Sequence, residues 1–312
     1  MRPAVKRYGV QAALIAVAAV WGGTFVVVKD AVALYPLYGF LALRFLIAVL
    51  AFAVVLPASV KLLNPRTVGV GALAGVFLTA GYVFQTWGLQ GTSASKAAFI
   101  TGMFVVITPA LQAVLLRRSP KPVTLLGVVL AVAGLWLLSG GGVDGWNVGD
   151  TRVLLCAVAY SAHIIVLGSV GHHHDVRPFT LVQLATVAVA CSGIALATEP
   201  LSLPSETSVW VALIVTGVFG SAVAFAVQTY AQRILSPTKT ALILISEPAF
   251  GGLFGWLAGE RLGIAGATGA ALILTGMLTA ELLGAAQPGV EAHYEPALEG
   301  PPVPMQEEEA ES

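Results

Sequence analysis

Gln85-Thr86-Trp87-Gly88-Leu89-Gln90-Gly91-Thr92-Ser93-Ala94-Ser95-Lys96, in the first half of the chain, has a counterpart in the second half: Gln228-Thr229-Tyr230-Ala231-Gln232-Arg233-Ile234-Leu235-Ser236-Pro237-Thr238-Lys239. Each stretch starts with Gln-Thr and an aromatic residue, passes through a Thr/Ser-rich turn and reaches a lysine eleven residues after the glutamine. Further on, Gly127 and Gly134 are echoed by Gly269 and Gly276, and Pro109 by Pro248 after a gap of about one helical turn. The chain is a duplication, and the content of each copy decides the fold.

That content is lipid-soluble. Of 312 residues, 57% are hydrophobic and 10% charged, against about 25% charged in a soluble domain. A helix needs about 20 apolar residues to cross the hydrocarbon core. The first copy supplies five such cores, at Val10 to Val28, Leu37 to Leu56, Val68 to Leu89, Ala97 to Leu116 and Val123 to Leu138. The second supplies Val153 to Val170, Phe179 to Ala197, Val209 to Tyr230, Ala241 to Leu257 and Leu262 to Leu283. The first core follows Arg2, Lys6 and Arg7 like a signal peptide, but nine more follow it, so it reads as helix 1. The expected fold is an all-α membrane protein of ten transmembrane helices. Five is odd, so the second copy enters the membrane from the opposite side, which makes residues 10–140 and 150–284 two inverted five-helix repeats. Two similar bundles of opposite sense can exchange conformations and so expose one central cavity to either side in turn.

Lys and Arg concentrate on cytoplasmic loops. Eleven fall on the N-terminal side, at Arg2, Lys6, Arg7, Lys61, Arg66, Arg117, Arg118, Lys121, Arg177, Arg233 and Lys239. The other side holds Lys29, Lys96, Arg152 and Arg261. Both termini are therefore expected in the cytoplasm of a cell with this protein in its inner membrane: residues 1–9 as a short N-terminus, 285–312 as a disordered acidic tail ending in Glu307, Glu308 and Glu309. Net charge is zero, which gives no sign of nucleic acid. Cys156 and Cys191 lie inside apolar runs rather than in paired loops, so no disulfide framework is expected.

Trp21-Gly22-Gly23-Thr24-Phe25, Leu43-Arg44-Phe45 and Thr92-Ser93-Ala94-Ser95-Lys96-Ala97-Ala98-Phe99-Ile100 carry a resemblance, as do Gln228 to Arg233, Ser236-Pro237-Thr238-Lys239, Glu247-Pro248-Ala249 and Gly259-Glu260. Over about residues 9 to 284 the chain resembles the drug/metabolite transporter superfamily, specifically its EamA-type exporters. The resemblance implies ten helices in two inverted repeats, a central substrate cavity and export of metabolites or drugs. The chain departs from the pattern at His163, at His172-His173-His174, and at Arg117-Arg118-Ser119 where relatives often have a Gly-Glu-Arg-like end to helix 4.

An ionisable group within the bilayer is a functional candidate by default, and Glu247, Arg44 and His163 are the clear cases. Glu247 falls about halfway along helix 9. Gly251, Gly255 and Gly259 follow on its face as a stripe for close helix packing, which should aim the carboxylate into the bundle. It either takes up and releases a proton in step with transport or bonds to backbone freed by Pro248. Arg44 can snorkel to the interface, sit in a structural pair or hold a substrate carboxylate. Trp21, Tyr82, Gln85, Tyr160, His163, Gln183, Gln228, Tyr230 and Gln232 are the expected cavity residues. Each carries a polar group that must find a partner in a dry interior, and Gln228 and Gln232 are four apart on one helical face. Adjacent histidines on a short loop rarely converge on one ion, so His172, His173, His174 and Asp175 are read as no metal site.

No HExxH, GxSxG or intramembrane aspartate pair suggests an enzyme, and no P-loop suggests ATP hydrolysis. No cofactor is expected. The reading is a secondary active transporter, monomeric or homodimeric, with lipid, a small amino-acid-like or amphipathic solute and protons as its partners. A membrane receptor or scaffold, or an intramembrane enzyme without a recognisable motif, is the alternative.

Overall fold

The computed structural model describes residues 3–115, 122–138, 145–170, 174–200, 202–232, 235 and 243–284. The acidic tail, His172, His173, Lys239 and the Arg117-Arg118-Ser119 segment lie outside the described residues. The elements are α1 (Pro3–Leu34), α2 (Leu37–Val55), α3 (Ala58–Lys61), α4 (Pro65–Leu89), α5 (Ala94–Gly102), α6 (Phe104–Leu115) and α7 (Pro122–Leu138) in the first repeat. The second has α8 (Val148–Val170), α9 (Val176–Thr198), α10 (Thr207–Gly217), a π-helical segment (Val218–Val223), α11 (Ala224–Ala231), α12 (Ser246–Leu257) and α13 (Gly263–Gly284). No strand occurs among the described residues. Ten spans result: helices 1, 2, 3 and 5 are α1, α2, α4 and α7, and helix 4 is α5 with α6. Helices 6, 7, 9 and 10 are α8, α9, α12 and α13, and helix 8 runs from α10 through the π segment to α11.

Helix starts follow from local chemistry. Asn64 accepts from Thr67 N–H at 3.0 Å with Pro65 at the first helical position. Asn147 and Asp150 cap helix 6 reciprocally, each side chain accepting the other's backbone N–H at 3.0 and 2.9 Å. Three helices are less regular than the hydropathy suggests. Helix 4, expected as one run, breaks at Met103 between α5 and α6. In helix 8 a six-residue π segment holds Gly220 and Ser221. Helix 9 turns at Ile245 and resumes at Ser246: Pro248 has no N–H to donate to Leu244 O, and Ser246 Oγ donates to Ile243 O at 2.6 Å within the same turn. Glu247 is therefore in the first turn of α12 and not at mid-helix.

The helix contacts obey a two-fold rule that exchanges helices 1 to 5 with helices 6 to 10. Helices 2 and 7, 4 and 9, and 5 and 10 pair across the axis. The 1–9 contact has its counterpart in 6–4, 3–6 in 8–1, and 3–7 in 8–2. Glycines make these approaches close. A Cβ on Gly134 would lie 2.5 Å from Gly269 O, and one on Gly269 would lie 2.5 Å from Gly134 O, so helices 5 and 10 touch backbone to backbone. Gly251 and Gly255 do the same for helix 9 against helix 4, where added Cβ atoms would strike Ala98 and Ser95. Gly259 does not belong to this stripe. It lies past the end of α12 with φ of 94°, nothing approaches it, and its role is the left-handed turn toward α13.

Candidate functional site

A cavity lies between the repeats, walled by helices 1, 3 and 4 of the first and 6, 8 and 9 of the second. Its residues come in equivalent pairs. Trp21, Thr24 and Phe25 on helix 1 are matched at the same spacing by Tyr160, His163 and Ile164 on helix 6. Tyr82 and Gln85 on helix 3 are matched by Phe225 and Gln228 on helix 8, in the register that aligns Gln85-Thr86 with Gln228-Thr229, and helices 4 and 9 contribute Phe104 and Glu247. Leu78 and Leu244 complete the wall. The cavity volume is about 40 Å³. That is room for a few waters, whereas a drug-sized ligand occupies a pocket of about 300 Å³ or more, so such a solute needs the helices to part.

Six of the nine residues expected at a cavity line it: Trp21, Tyr82, Gln85, Tyr160, His163 and Gln228. Gln183, Tyr230 and Gln232 do not. Gln183 stands one layer behind, where its Oε1 meets His163 Nε2 at 2.8 Å and its Nε2 reaches Thr229 Oγ1 at 3.4 Å. Tyr230 is 40% exposed on the outside of helix 8, and Gln232 follows the end of α11. Trp87 also points away, under the Arg152 guanidinium at 3.7 Å.

Glu247 is 6% exposed and lines the cavity. Gln228 Oε1, on the same wall, is buried with no hydrogen-bond partner among the described residues, so it is an acceptor available to a solute. Arg44 does not snorkel. It is 2% exposed, stacked on Tyr82 with its guanidinium carbon 4.6 Å from the ring centroid. Its Nε donates to Ser221 Oγ at 3.0 Å and its Nη2 to the Tyr82 hydroxyl at 3.3 Å. Arg44 and Gln183 are themselves equivalent, each four residues past a fully buried phenylalanine, Phe40 and Phe179. Each therefore braces a cavity-lining ring from helix 2 or helix 7.

The π segment had no clear sequence signature beyond the adjacent small residues Gly220 and Ser221. It is tied to the cavity twice: Trp21 Nε1 donates to Gly220 O at 2.8 Å, and Arg44 links Ser221 to Tyr82. π-Helical turns recur at functional sites because they displace a carbonyl from the helix ladder and require another donor. The acidic residues at the bundle end away from the N-terminus were also not legible as a group. Burial alone would raise the Glu260 carboxyl, but the backbone N–H groups of Ser95 and Ala94 donate to it and the Lys29 charge stands beside it, and together they hold it below the usual carboxylate range.

Among the described residues no three His, Cys, Asp or Glu side chains gather where they could hold a metal ion. His174 Nδ1 instead pairs with Thr67 Oγ1 at 2.9 Å.

Comparison with known proteins agrees with this architecture. The chain is 31% identical over 250 residues to an "uncharacterized transporter" of Archaeoglobus fulgidus, covering 80% of this chain and 78% of that one. It is 27% identical over 186 residues to "WAT1-related protein At3g02690, chloroplastic" of Arabidopsis thaliana, covering 56% of this chain and 45% of the plant protein. A solved crystal structure shares the fold at a TM-score of 0.66 and 20% identity, over 87% of this chain and 96% of that one. The model of the EamA-like transporter family matches twice, at residues 8–140 and 147–280, one match on each five-helix repeat. This polytopic membrane protein, with its paired cavity, belongs to the EamA-like transporter family.

Proposed function

We propose that the protein is a secondary active transporter that carries a small organic solute by alternating access, and that it exports a metabolite or drug of amino-acid-like or amphipathic character. The observation that supports this most is the pairing of cavity residues across the repeats. A pocket built from two equivalent, oppositely inserted walls has two equivalent exits, and exchanging the conformations of the halves exchanges the exits. The lining favours a solute that is partly aromatic or aliphatic and partly polar. Trp21, Phe25, Phe104 and Phe225 supply apolar surface, while Gln85, Gln228, Tyr160 and Glu247 supply donors and acceptors. Glu247, with its carboxyl in the cavity, is the candidate for proton coupling. The Lys and Arg asymmetry supports an inner-membrane orientation with both termini in the cytoplasm.

The test is flux into proteoliposomes over a panel of amino acids, amines and amphipathic drugs, with and without an imposed pH gradient. Saturable flux of one class is expected; flux of none would favour the receptor reading. The opposed insertion is tested separately by labelling single cysteines at 96 and 239 with an impermeant reagent. Labels from opposite sides are expected, and labels from the same side would end the alternating-access reading.

A further inference from the structure

Most hydrogen-bond donors on the cavity wall are already spent on the protein itself. Trp21 Nε1 donates to Gly220 O at 2.8 Å, and Thr24 Oγ1 to Trp21 O at 2.7 Å. Gln85 Nε2 reaches Thr101 Oγ1 at 3.4 Å, and the Tyr160 hydroxyl reaches Gln85 Oε1 at 3.5 Å. His163 Nε2 faces Gln183 Oε1 at 2.8 Å while the Gln183 amide nitrogen is turned to Thr229, so Nε2 carries the ring proton.

The acceptors are not spent. The Glu247 carboxyl lines the cavity, is 6% exposed, and makes no hydrogen bond or ion pair among the described residues. Gln228 Oε1 is buried and unpartnered among the same residues. With the proton on Nε2, His163 Nδ1 is a third acceptor without a partner there. The three come from helices 9, 8 and 6 and line one cavity with room for only a few waters. An unpaired carboxylate in a dry interior is costly until a donor or a cation reaches it.

The rest of the wall suits the same partner. Trp21, Phe225, Tyr82 and Tyr160 form a run of neighbouring rings with centroids 5.5, 6.1 and 5.8 Å apart in that order, and ring faces attract a cation. A solute carboxylate finds no such welcome. Arg44 stands behind Tyr82 instead of lining the cavity, its Nε on Ser221 and its Nη2 on the Tyr82 hydroxyl. The Gln228 amide and the Tyr82 hydroxyl are neutral, so an anion entering the cavity would meet Glu247 with no cation to offset it among the described residues.

We infer that the cavity is an amine site: the solute presents an ammonium group to Glu247, Gln228 and His163, lays its apolar body on the rings and carries no carboxylate. This rests on the transporter reading and narrows its solute to amphipathic amines. Three acceptors match the three N–H groups of a primary ammonium, so a primary amine is preferred over its trimethylated form, which keeps the charge but has no donor.

The experiment is isothermal titration of the full chain in detergent with 2-phenylethylamine, its N,N,N-trimethyl derivative, 2-phenylethanol and 3-phenylpropanoate, which share a phenyl ring and differ in the polar end. The primary amine is expected to bind about tenfold more tightly than the alcohol or the carboxylate, and several-fold more tightly than the trimethyl form. Glu247→Gln should cut the affinity for the amine about tenfold and for the alcohol by less than about twofold, with exchange at saturating solute retained. Gln228→Ala should cost the amine several-fold without weakening the carboxylate, and it carries the test if Glu247→Gln does not fold. A carboxylate or alcohol bound as tightly as the amine, or folded variants that weaken every probe equally, overturn the amine site and leave the transporter reading intact. Proteoliposome flux that is saturable for acidic or neutral solutes and not for amines does the same, whereas flux confined to amines upholds the site even where the phenyl probes bind too weakly to titrate. No binding of any probe together with no flux of any class overturns both readings.

Discussion

Arg44 and Gln183 occupy equivalent places in the two repeats, each four residues past a fully buried phenylalanine, yet they do not match in chemistry, and Glu247 is a carboxylate with no acid facing it, among the described residues, from the first repeat's wall of the cavity. Trp21 with Tyr160, and Gln85 with Gln228, match far better. The difference separates two kinds of position. Residues that give the cavity its outline are similar in the two repeats, as the proposed exchange of the two walls requires. The buried charges occur once each, because a carboxylate or guanidinium in a low-dielectric interior is costly and duplicating it would double that cost. In the alternating access proposed above, symmetry would account for two exits and the unmatched residues for selectivity and drive.

The largest expected effect comes from breaking the contact that is its own mirror image. Gly134→Val and Gly269→Val each push a side chain into the other's backbone, where no rotamer gives relief, so each should cost at least the ~1–3 kcal/mol of an overpacked core. Thermal unfolding in detergent should show equal losses for the two variants. A tolerated change on one side only would break the pseudo-two-fold description. Glu247→Gln comes next. It should remove the dependence of flux on an imposed pH gradient while leaving solute exchange in place, and coupled flux that survives would move proton coupling elsewhere. The matched pair Trp21 and Tyr160 gives a smaller, graded test. Trp21→Phe orphans the Gly220 carbonyl of the π segment and should cost ~1–3 kcal/mol, whereas Tyr160→Phe loses only a 3.5 Å bond to Gln85 and should cost ~1 kcal/mol or less. A reversed order in unfolding free energy would mean that the π turn is not held by the indole.

Spans, repeat and family were legible because lipid leaves a long-range signal: runs of apolar residues, a lysine bias and a recurring Gln-Thr motif. Local departures were not, because hydropathy is blind to backbone hydrogen bonding. The break at Met103 and the π segment at Val218 to Val223 sit within uninterrupted apolar sequence. The helix-9 turn at Ile245 was half visible, in Pro248, but nothing in the sequence fixed on which side of the proline the helix would resume. Gly259 was misplaced for a related reason: a four-residue glycine spacing looks the same whether its last member is in the helix or in the turn after it. For the site, polarity within an apolar run identified the right kind of residue but not its facing. Gln183 was rightly singled out as polar and buried, yet its layer depends on the neighbouring helix that carries His163.

The smallest expected effect tests that last distinction within a single turn of helix 8. Gln228 and Tyr230 are two residues apart, which on an α-helix is about 200° of rotation, so they face nearly opposite ways. Gln228 is 3% exposed with its Oε1 buried on the cavity wall, whereas Tyr230 is 40% exposed and does not line the cavity. Gln228→Ala takes an acceptor from the pocket and should raise the KM for solute several-fold, about 1 kcal/mol of lost binding. Tyr230→Ala should leave KM and maximal flux unchanged. If the two variants behaved alike in a transport assay, the solute would be travelling along the outer face of helix 8 and not between the repeats.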